Sequence, residues 1–167
     1  MCMKHAATFS RCQRYRYQLE RCWGEHPSRN STVVFIGLNP STADAKNDDP
    51  TLRKCVAFAR GWGFKRLVMV NLFAWRATDP ENLLQTNHPI GKQNDKHIDA
   101  AVAESALIIA CWGEYGAYLN RAQEVHARYS QRLHCLQTNK SGEPTHPLYL
   151  PATLTPVKLK KARPALK

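Results

Sequence analysis

Apolar positions in this chain fall into short unbroken runs separated by stretches of helical spacing. Residues 32–37, TVVFIG, form a continuous β-branched and aromatic run, the pattern of a strand buried on both faces. The runs RLVMVNLF (66–73), ALIIACWG (106–113) and RLHCLQT (132–138) repeat it, the last more briefly. Between the first two, PTLRKCVAFARGWG places Leu52, Cys55, Val56 and Ala59 at helical spacing. Pro50 suits the first position of that helix, Asp49 is its expected N-cap, and Gly61 and Gly63 end it. Two further helices are predicted, over 94–105 (NDKHIDAAVAES) and over 114–130 (EYGAYLNRAQEVHARYS), the latter with alternating charge. Near the start, residues 8–23 alternate Arg14, Arg16 and Gln18 with Tyr15, Tyr17 and Leu19. Period two with aromatics predicts a half-exposed strand or hairpin carrying a basic face.

Strands that alternate with helices of this length predict βαβ units. The expected fold is α/β, a three-layer αβα sandwich around a mainly parallel four-stranded sheet. It forms one domain over residues 1–157, followed by a frayed basic tail, 158–167. In such sheets ligands bind outside the carboxyl ends of the strands. The segments GLNPS (37–41), NLFAWR (71–76), WGEYG (112–116) and THPLYL (145–150) follow the four strands in turn. Every unusual polar segment therefore lands on one edge.

Charge adds a partner class. Lysine and arginine total 24 against 13 acids in 167 residues, a net +11, which favours a polyanionic partner over a merely solvated basic surface. The apolar share of 43% is that of a folding chain. Six cysteines lie far apart with no CxxC pair, so neither a disulfide framework nor a metal or iron–sulfur site on Cys12 and Cys22 is expected. Cys55, Cys111 and Cys135 read as small buried hydrophobes. No stretch approaches the ~18 apolar residues that cross a bilayer, and a cytoplasmic protein is expected.

Several residues on the polar edge can carry chemistry. Gly37 leaves backbone room, and Pro40 stiffens the turn that holds Asn39 at the mouth of the sheet. A carboxamide there orients a water or a base edge, or else ties the turn to itself. Ser41, Thr42 and nearby N–H groups can cradle a phosphate, although no P-loop pattern is present. Asp44, Asp48 and Asp49 together offer oxygen ligands to Mg²⁺, while Asp49 is equally explained as a helix cap. Asn71 ends a buried strand, where it either reads a base edge or closes a turn. His146, fixed by Pro147, is either a surface-loop histidine or a group that stabilises charge on a leaving group. Trp62, Trp75, Trp112, Phe73, Tyr115 and Tyr149 lie near these loops, available for stacking or for the core.

The words GLNPSTAD, DPTLRKCVAFARGWG, VNLFAWRATDP, PIGKQND, CWGEYG and HPLYL resemble an uncharacterised bacterial and phage domain-of-unknown-function family over nearly the whole chain. That family in turn resembles a distant branch of the uracil-DNA glycosylase superfamily. GLNPS is similar to its first motif, whose asparagine positions the attacking water, which implies that role for Asn39. RLVMVNLFAW is similar to the strand whose terminal asparagine reads the base edge. This implies Asn71 as reader, with Leu38, Phe73 and Trp112 as candidate base-binding neighbours. HPLYL is similar to the second motif, whose histidine stabilises the base oxygen, which implies His146. Ser41, Thr42, Lys140 and Ser141 are the phosphate-binding candidates.

The departures are specific. Ser41 stands where the motif has glycine, no aromatic follows Pro40, and the second motif lacks its serine; Leu148 or Tyr149 would have to serve as the minor-groove wedge. The loop of Asp44, Asp48 and Asp49 has no counterpart in the superfamily, so it is the expected reader of a base substituent. The implied function is a DNA N-glycosylase acting on an unusual or modified base, including in single-stranded DNA. It would work as a monomer, off the membrane, with no cofactor and no metal. The alternatives are a binding module that does not cleave, and a Mg²⁺-dependent enzyme on nucleic acid or nucleotides that uses the aspartates.

Overall fold

A computed structural model describes residues 4–160; Cys2 and the tail residues 161–167 lie outside the described residues. The chain runs β1 (Lys4–Phe9), β2 (Arg16–Cys22), β3 (Thr32–Gly37), α1 (Pro50–Gly61), β4 (Arg66–Asn71), α2 (Asn94–Ala103), β5 (Leu107–Ala110), α3 (Arg121–Tyr129), β6 (Leu133–Cys135) and β7 (Val157–Lys158), with short 3-10 turns between. The fold is mixed α/β.

All seven strands join one sheet in the order β1-β2-β4-β3-β5-β6-β7. The four strands expected from the apolar runs form its parallel centre, β4-β3-β5-β6. The sheet is nevertheless mixed and wider than four strands. The β1/β2 hairpin pairs antiparallel against β4, and β7 pairs antiparallel against β6. Residue 158, expected to begin a frayed tail, is thus paired, and Leu159 beyond it is buried.

Alternation along the central strands decides which helix covers which face. Val33 and Phe35 point to the layer of Leu52, Cys55, Phe58 and Ala59 on α1. Val34 and Ile36 point to the layer of Ile98, Ala101 and Val102 on α2 and Ala122 and Val125 on α3. Asp49 caps α1 by accepting from the Leu52 N–H at 2.7 Å.

Two expectations fail for traceable reasons. The helix predicted over 114–130 is broken. A 3-10 turn spans Glu114–Asn120, where Leu119 (φ 51°) and Asn120 (φ 57°) adopt the left-handed region, and only then does α3 begin. The break lets Tyr118 pack against Phe73, ring centroids 5.6 Å apart, and lets Arg121 enter the core. There Arg121 donates to Asp95, Glu124 and the Leu72 carbonyl.

The basic face expected on residues 8–23 is also partly inverted, since Arg16 and Arg21 are buried. Loop 43–48 folds over β2 and supplies their acceptors. Arg21 reaches Asp48 Oδ1 at 2.7 Å and the Asp44 carbonyl at 2.5 Å. Arg16 reaches the Ala43 carbonyl at 2.6 Å.

Removing a carboxylate from a buried pair leaves its partner's charge uncompensated. Asp48→Ala is therefore expected to lower stability by about 2 kcal/mol, discounted for the partial exposure of Asp48. Asp44→Ala, whose carboxylate bonds stay within its own turn, should lower stability less than Asp48→Ala. Urea denaturation of the two variants checks the order.

Candidate functional site

Chain winding reverses at β3: α1 carries the chain to β4 on one side, and α2 returns it to β5 on the other. The crevice expected at such a switch point is present at the carboxyl ends of β3, β4 and β5. It is a cleft of about 610 Å³. Its floor comes from Gly37, Leu38 and Asn39 after β3, Asn71 at the end of β4, and Cys111 and Trp112 after β5. Its rim comes from Asp49, Tyr115, Asn139, His146 and Tyr149.

Asn39, Asn71 and His146, far apart in sequence, therefore share one cavity, together with Leu38, Ser41, Asp49 and Trp112. Other candidates lie elsewhere. Phe73 is buried against Tyr118 in the core, because the chain turns inward after Asn71. Thr42, Lys140 and Ser141 are exposed and do not line the cleft. Among the aromatics, Trp62 stacks on Phe35 and Phe58 in the α1 layer, and Trp75 meets Tyr15 edge-on.

The three aspartates do not converge. The Asp44 carboxylate accepts from the Lys46 and Asn47 N–H groups, Asp48 pairs with Arg21, and Asp49 caps α1. Only Asp49 faces the cleft. Among the described residues no three His, Cys, Asp or Glu side chains are grouped to hold a metal ion.

Local geometry sets what each group offers. Asn39 spends its Nδ2 on the Ala77 carbonyl (2.7 Å) and the Pro40 carbonyl (3.1 Å), leaving Oδ1 to accept from a visitor. Asn71 is only 3% exposed, and its Nδ2 is buried without a partner. Gly37 makes this possible: a Cβ there would lie 2.8 Å from Asn71 Oδ1. The end of β4 is pinned by Asn94 of α2, whose Nδ2 donates to the Asn71 and Leu72 carbonyls.

His146 caps the turn Pro147–Tyr149 by accepting on Nδ1 from the Leu148 N–H, so the neutral ring carries its proton on Nε2. Desolvation pulls its pKa below the ordinary histidine value, partly opposed by Asp49. Neutral imidazole is thus the working form at neutral pH. Beside it, the Tyr149 ring is 92% exposed.

Arg16 in the lining and Glu143 behind it are among the residues that the sequence reading does not single out for the site. Arg16, 4% exposed, lines the cleft from the antiparallel hairpin, although alternation along residues 8–23 assigns it to the exposed face. Glu143, also buried, accepts from Trp112 Nε1 at 2.6 Å and so fixes the indole that walls the cleft. A glutamate in a Gly-Ser loop gives no such signal beforehand.

Burial raises the Glu143 pKa, with the Trp112 hydrogen bond partly offsetting it. An acid whose folded pKa is raised stabilises the fold only while protonated, and that contribution is lost as pH rises through the folded value. Glu143→Gln, which keeps a carbonyl acceptor for Trp112, should therefore gain stability relative to wild type as pH rises from the ordinary glutamate range to neutrality. Thermal unfolding across that range measures the trend, and a difference that is flat or falls with pH would contradict it.

No curated protein and no solved structure gives a significant match to this chain. The family described as a protein of unknown function, DUF1643, matches residues 16–148, a span that holds Arg16, Asn39, Asn71, Trp112 and His146. The chain belongs to the DUF1643 family.

Proposed function

We propose that the chain is a nucleobase-recognising N-glycosylase, with a fold of the uracil-DNA glycosylase kind, that draws a base out of DNA into the cleft and hydrolyses its glycosidic bond. The observation that carries this reading is the convergence of Asn39, Asn71 and His146 on one cavity at the carboxyl ends of the parallel strands. The net charge of +11 supports a polyanionic partner, and in this reading the exposed Tyr149 at the rim fills the gap a flipped base leaves.

In this scheme Asn71 Nδ2, a donor with no protein partner, donates to an acceptor on the base edge. Breaking the C1′–N bond leaves its electron pair on the base. His146, donating from Nε2, stabilises the charge that develops on the base oxygen. Asn39 Oδ1 orients a water whose oxygen bonds to C1′. The water's proton ends on the departing base, so one water is consumed for each free base and abasic sugar. A carboxamide is a poor base, so the rate rests mainly on leaving-group stabilisation.

Single-stranded oligonucleotides carrying uracil and modified pyrimidines, assayed for free base and abasic sites, test the reading. On the substrate that is cleaved, His146→Ala should lower the rate by about 10²- to 10³-fold. Because desolvation lowers the His146 pKa, the wild-type rate should stay flat from pH 8 to below the ordinary histidine pKa. Free base from no substrate in the panel would overturn the catalytic reading, and binding that depends on Asn71 would then leave recognition alone.

A further inference from the structure

We infer that the ligand of this cleft carries an anionic oxo group, a carboxylate or a phosphate, which Arg16 receives. This deepens the nucleobase reading and rests on it for the ring that Asn71 contacts. Among the described residues three arginines are buried, and they differ in their partners. Arg21 pairs with Asp48, and Arg121 pairs with Asp95, each at 2.7 Å. Arg16, nearly as buried, forms no ion pair among the described residues. It donates from Nη1 to the Ala43 carbonyl, and its Nε is buried with no partner.

Its placement follows from an irregularity of the hairpin. Thr8 pairs with Gln18, but Phe9 pairs with Arg16, so the register skips Tyr17. Tyr17 turns toward α2 and stacks on His97 at 4.8 Å, while Arg16 joins Leu19 in the cleft lining. Bulges of this type re-aim side chains beside binding sites.

A guanidinium taken out of water without an anion carries a desolvation penalty, and even with its pKa lowered to about 10 it stays cationic at neutral pH. Asp49 in the same lining eases that penalty through space, yet its Oδ1 is committed to the Leu52 N–H. The guanidinium fork matches carboxylate and phosphate oxygens in geometry. Asn71 Nδ2 is the second unpartnered buried donor of the cleft, so the two together ask for a ligand that presents acceptors, one of them charged. A volume of about 610 Å³ holds a nucleotide-sized molecule.

Isothermal titration of the wild-type protein with uridine, 5-carboxyuridine and uridine 5′-monophosphate tests the inference without relying on a variant. One of the two anionic compounds should bind at least about tenfold more tightly than uridine, or ~1.4 kcal/mol. Preference for the carboxylate places the charge on the base, and preference for the phosphate places it on the backbone. In Arg16→Gln, with folding checked by circular dichroism, the preference should collapse. Equal binding of all three, or a preference that survives in the folded variant, overturns the inference. If no nucleoside binds, inorganic phosphate separates the two readings. Phosphate that raises the wild-type Tm but not that of Arg16→Gln keeps the anion site while the base reading falls. No shift in either protein removes the anion site as well.

Discussion

The reversal of winding at β3 is the constraint on which the rest of this molecule depends. A central strand flanked by β4 on one side and β5 on the other must send its two crossover helices to opposite faces. The loops that leave its carboxyl end then part, and the space between them is the cleft. Gly37 sits at that parting, small enough for Asn71 Oδ1 to occupy the room a Cβ would take. The site is therefore a consequence of topology before it is a matter of particular side chains.

Around this centre the β1/β2 hairpin does more than extend the sheet. Its arginines hold the loop that follows β3: Arg21 grips Asp48 and the Asp44 carbonyl, and Arg16 grips the Ala43 carbonyl. That loop delivers Asp49 to the start of α1 and to the rim of the cleft. Fold stability and site geometry are thus coupled through a few buried guanidinium contacts. Arg21 is paired with a carboxylate, whereas Arg16 has no ion pair among the described residues, and the proposed anion site rests on that difference.

The parallel centre was legible in the sequence because strands buried on both faces leave unbroken apolar runs, and TVVFIG and RLVMVN are such runs. The capped helix at Asp49–Pro50 was legible because its signals are local. The edge strands were not. β7 has two residues, and the hairpin's burial depends on α2 and loop 43–48, which alternation alone does not reveal. Arginine defaults to the surface, so nothing local marks Arg16 or Arg121 as buried. The break at Leu119 and Asn120 likewise follows from packing of Tyr118 and Arg121 rather than from helix propensity. For the site, residues at strand ends were legible through the carboxyl-edge rule, as Asn39 and Asn71 show. Phe73 lay two positions too far along, and Asp44 and Asp48 found their partners within the protein.

The central claim is that Asn71 meets a base in the cleft at the carboxyl edge. Side-chain amide resonances of ¹⁵N-labelled protein, followed while a uracil-containing trinucleotide is added, report on that contact directly. The account predicts that the Asn71 Nδ2 resonances move with saturating dependence on ligand, while those of Asn94, which already donates to two carbonyls, stay nearly fixed. Saturable shifts confined to other surfaces, with Asn71 unmoved, would contradict it.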